Sequence, residues 1–383
     1  MPGLDTEQVV RQRYSGAAVQ REAALCCPVD YDAEYLRVIP QDVIDRDYGC
    51  GDPSKHVRPG ETVLDLGSGG GKICFIVSQV IGAAGRVIGI DLNDEMLALA
   101  RRSQVTVAAA IGYDNVTFHK GKIQDLAVDR DVVDSYLAEH PVGDEVGLRA
   151  LESFLAELRQ RKPMIADESI DVVVSNCVLN LVDANEKEML FDEIFRVLRP
   201  GGRAVISDIV SDEPVPEELQ ADPELWSGCV SGAFEQSAFV DAFEHAGFVD
   251  IRIESLQQQP WQVVGGIAFR SATVIAYRPH LTSDSEGLVE QTEHYLQSER
   301  PQRRVYRGPF KYVVDDEGRM YTRGEVCSGP LAQAAEREAI SDQFAVFDVA
   351  ESDSATPFRP RNASSPIGLP TANGPCCSDG GCC

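Results

Sequence analysis

The sequence predicts an α/β protein built on a parallel, doubly wound sheet. Three observations lead there. Short apolar strand patterns alternate with helical patterns from Glu61 to Tyr277. The first strand pattern runs directly into Gly67-Ser68-Gly69-Gly70-Gly71, a turn that delivers the chain to a helix. The second ends in an acid, Asp91.

Each element follows from local chemistry. Val9, Val10, Tyr14 and Ala17 stand at helical spacing within residues 4–25. Pro28, Pro40, Pro53 and Pro59 predict irregular backbone over 26–60. Thr62 to Leu66 reads as a buried strand and Lys72 to Ile81 as an apolar helix. Arg86 to Ile90 reads as the second strand, and Asn93 or Asp94 can cap a helix running to about Arg102. Val116 to Phe118 is the third strand. The insertion at 127–165 is rich in charge, with helical stretches near 131–139 and 145–160, and reads as a solvated helical excursion. Ile170 to Ser175 is the fourth strand. Lys187 to Leu198 is a helix stopped by Pro200-Gly201-Gly202, and Arg203 to Ser207 is the fifth strand. A helix at Gln236 to Ala246 and strands at Val249 to Ser255 and Phe269 to Tyr277 complete the pattern.

The expected organisation is an N-terminal helix with a cysteine-bearing cap segment (1–60), the α/β domain (61–280), a small C-terminal α+β or β domain (281–350) and a disordered cysteine-rich tail (351–383). Residues 281–300 are polar and read as a linker. Val305 to Gly329 predicts a small β unit turning at Asp315-Asp316-Glu317-Gly318. The tail is rich in Pro, Ser, Gly and Asn.

Charge excludes whole classes of partner. The 383 residues hold 35 Lys and Arg against 61 Asp and Glu, a formal net charge of −26. A polyanion would be repelled over most of such a surface, so neither nucleic acid nor an anionic membrane is an expected partner. No apolar run approaches the ~18 residues of a membrane helix. The opening MPGLDTEQVV lacks the basic and apolar regions of a secretory signal, so a reducing, cytoplasmic setting is expected.

Gly67, Ser68 and Gly69 let backbone approach a ligand at a strand's carboxyl end and a helix's amino end. A carboxylate at Asp91 can accept both hydroxyls of a ribose. The spacing is neither G-x-G-x-x-G nor a P-loop, so the turn gains meaning only with Asp91. Val63-Leu64-Asp65-Leu66-Gly67-Ser68-Gly69 resembles the first motif of class I S-adenosylmethionine-dependent methyltransferases. Ile90-Asp91 resembles their second motif. Gly121 to Asp125 resembles the segment bracketing adenine, and Val197 to Gly202 the bend before strand five. The resemblance implies a Rossmann-like methyltransferase sheet and S-adenosylmethionine as cofactor, with Asp65, Gly67, Ser68, Gly69, Asp91, Leu92, Ile123 and Asn176 as its binding residues.

Cysteine is the compositional oddity. Of 11, six form the adjacent pairs Cys26/Cys27, Cys376/Cys377 and Cys382/Cys383. The singles are Cys50, Cys74, Cys177, Cys229 and Cys327. A chain this long builds a core without disulfides. No C-x-x-C pair supports a zinc ribbon. Cys74 and Cys177 fall at the carboxyl ends of predicted strands, where open α/β sheets bind ligands. Cys50 and Cys229 lie in flanking segments. Each single cysteine reads equally as a small buried hydrophobe. Together, isolated thiols from distant segments suit a soft ion that enters as substrate. Cys327 reads as structural.

Here the sequence resembles the arsenite methyltransferases. Tyr48-Gly49-Cys50-Gly51, Cys74 after the glycine turn, Val174 to Val182 around Cys177, and Leu225-Trp226-Ser227-Gly228-Cys229 carry the likeness. Val10-Arg11-Gln12-Arg13-Tyr14 leading to Cys26-Cys27, Val305-Tyr306-Arg307-Gly308 and the terminal cysteines extend it. The resemblance implies catalytic roles for Cys50, Cys74, Cys177 and Cys229, with Cys50, Cys177 and Cys229 binding trivalent arsenic. It implies arsenite and methylarsenite as substrates. It also implies a cysteine disulfide, with Cys74 and Cys50 as the candidate pair, that thioredoxin or glutathione reduces. The tail cysteines read either as a route for arsenite delivery or as a flexible appendage. The chain departs from the pattern after the glycine turn. Family members often carry Arg-Asp there, at a polar contact to the cofactor's methionine part; this chain has Lys72 and Ile73. Two other readings remain open: a class I enzyme methylating carbon of a small apolar substrate, and a metalloid-binding protein.

Overall fold

The computed structural model describes residues 5–22, 25 and 29–280, and five strand segments further along the chain. Cys26, Cys27, the segment 281–300 and the tail with its four cysteines lie outside the described residues.

The sheet begins with β1 (Thr62–Leu66), β2 (Arg86–Asp91) and β3 (Val116–Lys120). Next come β4 (Ile170–Asn176), β5 (Leu198–Ser211) and the short β6 (Phe234–Glu235). It closes with β7 (Val249–Leu256), β8 (Gln262–Val264) and β9 (Ile267–Tyr277). The order is β3-β2-β1-β4-β5-β9-β7, with β6 on β5 and β8 on β9. The first five strands pair in parallel, and β9 runs antiparallel to both β5 and β7. The chain reverses its winding between β1 and β4. That switch opens a crevice at the strands' carboxyl ends, where this architecture binds ligands.

Helices cover both faces. On one side α4 (Lys72–Ile81) and α5 (Asp94–Ile111) bury Phe75, Ile76, Leu97 and Leu99 against β1, β2 and β4. On the other, α8 (Lys187–Val197) and α11 (Gln236–His245) bury Phe191, Ile194, Phe239 and Phe243. These strands are largely apolar because both faces are covered. The insertion forms α6 (Arg130–Glu139) and α7 (Glu145–Arg161), joined by their own small cluster of Val133, Leu158 and partly buried neighbours.

Four local departures from the sequence reading have physical causes. The helix expected to stop near Arg102 continues to Ile111, because Ser103 and Val107 extend its buried face; Gly112, at φ 85°, ends it. Pro200-Gly201-Gly202 does not precede β5 but lies within it, as an irregularity where the β4–β5 register shifts. The 26–60 stretch holds two single-turn helices, α2 (Ala33–Leu36) and α3 (Gln41–Ile44), and a 3₁₀ turn at Pro53–His56. Finally, the apolar stripe of α1 (Thr6–Val19) does not enter the main core: Val10 and Tyr14 line the crevice instead. Two short helices, α9 (Glu217–Gln220) and α10 (Pro223–Ser227), precede Cys229. In the C-terminal region β10 (Gln302–Tyr306) pairs with β13 (Val326–Ser328) and β14 (Phe344–Asp348), while β11 (Tyr312–Val314) pairs with β12 (Met320–Thr322). Among the described residues no helix is long and apolar enough to cross a membrane.

Candidate active site

The crevice encloses a cavity of about 180 Å³ whose walls come from the ends of β1, β2 and β4 and from α1. Asp65, Gly67, Ser68, Gly69, Asp91, Leu92, Ile123 and Asn176 all line it. Gly67 and Ser68 donate their backbone N–H groups to Ile90 O at 2.8 and 2.9 Å, which ties the turn to β2. Gly67 sits at φ 70°, and a Cβ there would collide with Val178, so only glycine meets both demands. Asp91 Oδ2 accepts from Gly69 N and Oδ1 from Asn93 N, each at 2.8 Å. Burial pushes the Asp91 carboxyl up and these hydrogen bonds oppose it. Asp65 is raised further, to about 7, by burial. The hydroxyl of Ser68 is buried at the cavity wall without a hydrogen-bond partner. A buried orphan of this kind has its desolvation cost uncompensated until a ligand supplies a partner.

Cys177 reaches the same cavity from the end of β4. Its Sγ, that of Cys50 and a carboxylate oxygen of Asp208 lie within 4.8 Å of one another. Interaction with the neighbouring Cys229 and Cys50 thiols, then burial, pushes the Cys177 thiol well up. Burial likewise raises Cys50. All three cysteines are at most 6% exposed.

The backbone around them is over-determined. Cys177 and Cys229 have φ of 64° and 59°, in the left-handed region. That region costs a β-carbon residue roughly 1–2 kcal/mol, so other contacts must hold it. Cys177 N donates to Ser207 O at 2.8 Å. The Cys229 thiol donates to Cys177 O at 3.1 Å. Cys50 is gripped by Asn176, whose Oδ1 accepts from Cys50 N and Gly51 N at 2.9 and 3.0 Å. Asn176 Nδ2 donates to Gly51 O at 2.8 Å. A Cβ at Gly49 would strike Asn176 and one at Gly51 would strike Ser207, so the Gly-Cys-Gly sequence is what lets this loop lie against the strand ends.

Residues 58–154 and 153–247 match the methyltransferase domain family, and 294–365 match a domain of unknown function. The arsenite methyltransferase of Halobacterium salinarum is 34% identical over 65% of this chain and 59% of its own length. That of Aquipseudomonas alcaligenes is 30% identical over 81% of this chain and 82% of its own. The chain belongs to the arsenite methyltransferase family. The human arsenite methyltransferase is 29% identical over 72% of this chain and 68% of its own. An arsenic(III) S-adenosylmethionine methyltransferase from Chlamydomonas reinhardtii shares the fold, at TM-score 0.52 and 22% identity, over 86% of this chain and 98% of its own. The match thus spans less than two thirds of the Halobacterium relative.

Within this family member the structure gathers Cys50, Cys177 and Cys229 and keeps Cys74 apart. Cys74 packs beneath the glycine turn with Phe75 and Val77, and its thiol donates to Asp65 at 3.1 Å. Pairing Cys74 with Cys50 therefore requires that hydrogen bond to break. Two residues went unassigned in the sequence. Asp208, toward the carboxyl end of β5, accepts from Val178 N at 3.1 Å, Leu179 N at 2.8 Å and Ile209 N at 2.7 Å. Burial raises it to about 6. Its one signal is an acid inside the apolar run Ala204 to Val210. Tyr14, read as part of an apolar stripe, brings its hydroxyl to 3.8 Å from Cys229 Sγ.

Proposed function

We propose that this chain transfers methyl groups from S-adenosylmethionine to arsenite and methylarsenite held by Cys50, Cys177 and Cys229. The observation that carries the reading is the convergence of three buried thiols from three separate segments, with Cys177 among them lining the cavity. Trivalent arsenic is soft and prefers sulfur donors. Each thiol that binds it delivers its proton to a departing hydroxide of arsenite, which leaves as water, so loading needs no external base. Arsenite takes three sulfur ligands and methylarsenite, already bonded to one carbon, takes two; in both the arsenic lone pair is the nucleophile, and no proton has to be removed from it.

The remaining cavity fits the cofactor. Asp91 would take the ribose hydroxyls, Leu92 and Ile123 the adenine, and the orphaned Ser68 hydroxyl gains a partner. Bound there, S-adenosylmethionine supplies an electrophilic methyl group. The residues contribute chiefly position: the fixed φ of Cys177 and the Asn176 clamp on Cys50 hold the thiols in one arrangement before substrate arrives. Methylation withdraws two electrons from arsenic; a pair of cysteine thiols returns them, loses two protons and becomes a disulfide. Thioredoxin or glutathione would reduce that disulfide, in keeping with a cytoplasmic setting.

Alkylation mapped by peptide mass spectrometry tests the thiol set. Saturating arsenite should slow alkylation of Cys50, Cys177 and Cys229 at least tenfold together and leave Cys74 unchanged. Equal rates with and without arsenite at the three would sink the reading and favour a carbon methyltransferase. Protection without any methyl transfer would favour a metalloid-binding protein.

A further inference from the structure

The cofactor's methionine end is zwitterionic, so its pocket needs an acceptor for an ammonium and a donor for a carboxylate. Ile73, the second residue of α4 after the glycine turn, lines the cavity and is 4% exposed. It can supply neither. The cavity wall next to Ile73 has another source of charge. Arg46 and Asp47 line the cavity from the segment just before Tyr48. Asp47 Oδ2 accepts from Lys72 Nζ at 2.8 Å, and Lys72 is the first residue of α4, directly after the glycine turn. Asp47 is also near enough to Asp65 to raise its pKa. Asp47 therefore lies at the glycine-turn end of the cavity, on the side where a cofactor anchored at Asp91 extends its amino acid.

Lys72 itself is built in. It is 2% exposed, and its ammonium lies 3.7 Å from the centre of the Tyr31 ring. Tyr31 accepts from Asn176 Nδ2 at 3.1 Å and donates to Gly51 O at 3.1 Å. A buried lysine needs a compensating anion, and Asp47 provides it. Gly49 N and Lys72 Nζ both contact Asp47 Oδ2, and among the described residues no donor is on Oδ1. Among the described residues the Arg46 side chain has one ion pair, a 3.6 Å contact to Asp42.

We propose that Asp47 accepts the cofactor's α-ammonium, with Arg46 beside it for the α-carboxylate and Lys72 as the positioning residue for Asp47. The assignment rests on the reading of the cavity as an S-adenosylmethionine site. Through Tyr31 and Asn176 it also links the methionine end of the cofactor to the loop that carries Cys50.

Calorimetric titration of the full-length chain with two nucleosides tests it without arsenic or turnover. S-adenosylhomocysteine has the amino-acid end, whereas 5′-methylthioadenosine lacks it. Asp47→Asn keeps the shape and an oxygen for Lys72. It should weaken S-adenosylhomocysteine at least tenfold and leave 5′-methylthioadenosine within twofold of wild type. Unchanged S-adenosylhomocysteine affinity overturns the assignment. So does equal weakening or loss of both nucleosides, which marks a structural role for the Asp47–Lys72 pair. A wild-type chain that binds neither nucleoside overturns the cofactor reading itself, and the assignment with it.

Discussion

Replacing Cys177 by serine should abolish methylation of arsenite while the chain still binds S-adenosylhomocysteine. Cys177 is the central member of the thiol group, in contact with both Cys50 and Cys229. A hydroxyl in its place is a hard donor and too weak an acid to replace a thiolate on arsenic. The two remaining thiols cannot complete the three-sulfur set. The expected loss is at least roughly 10³-fold in rate, or about 4 kcal/mol of transition-state stabilisation. Serine is smaller than cysteine and keeps the left-handed backbone at similar cost, so the fold should survive. Steady-state turnover together with S-adenosylhomocysteine titration checks both halves of the expectation. Turnover within tenfold of wild type would remove Cys177 from the reaction.

The second large effect is at Asp208. Its carboxylate accepts from the backbone at Val178, Leu179 and Ile209. Asp208→Ala leaves buried donors without acceptors, at ~1–3 kcal/mol for each one left unsatisfied. The turn after Cys177 would lose contacts that help hold its φ of 64°. Both heat stability and arsenite affinity should fall, the latter by at least about tenfold, which corresponds to about 1.4 kcal/mol. Asp208→Asn retains one acceptor oxygen and should recover most of the stability. Differential scanning calorimetry and arsenite titration on the two variants give the comparison. Full arsenite affinity in Asp208→Ala would show that the turn holds itself.

These two residues mark what the sequence could and could not reveal. The sheet was legible because the strands facing helices on both sides are short, mostly apolar runs, and left-handed glycines such as Gly71 and Gly112 punctuate the helices. The glycine turn and Asp91 were legible because strand, turn and acid lie within one short stretch. The family resemblance identified the cysteines. Their division did not follow from spacing: Cys74 and Cys177 both sit at strand ends, yet one turns under the glycine loop toward Asp65 and the other opens into the cavity. Asp208 escaped notice because an acid within an apolar strand gives no hint of the backbone donors that fold around it. Asn176 was read as a cofactor contact, and its amide also grips the Cys50 loop from 126 positions away in sequence. The stripe on α1 had the right period for a helix, but a period does not say whether the helix faces a core or a cavity.

The central claim, that three converged thiols present arsenic to a methyl donor, is tested most directly by following the methyl group. Full-length chain, arsenite, a thiol reductant and methyl-labelled S-adenosylmethionine are incubated together, and the arsenic species are separated by chromatography. The account predicts label in methylated arsenic from the wild-type chain and none from Cys177→Ser or Cys229→Ser. A wild-type chain that binds S-adenosylhomocysteine yet puts no label on arsenic, or a Cys177→Ser chain that labels arsenic as well as wild type, would contradict it.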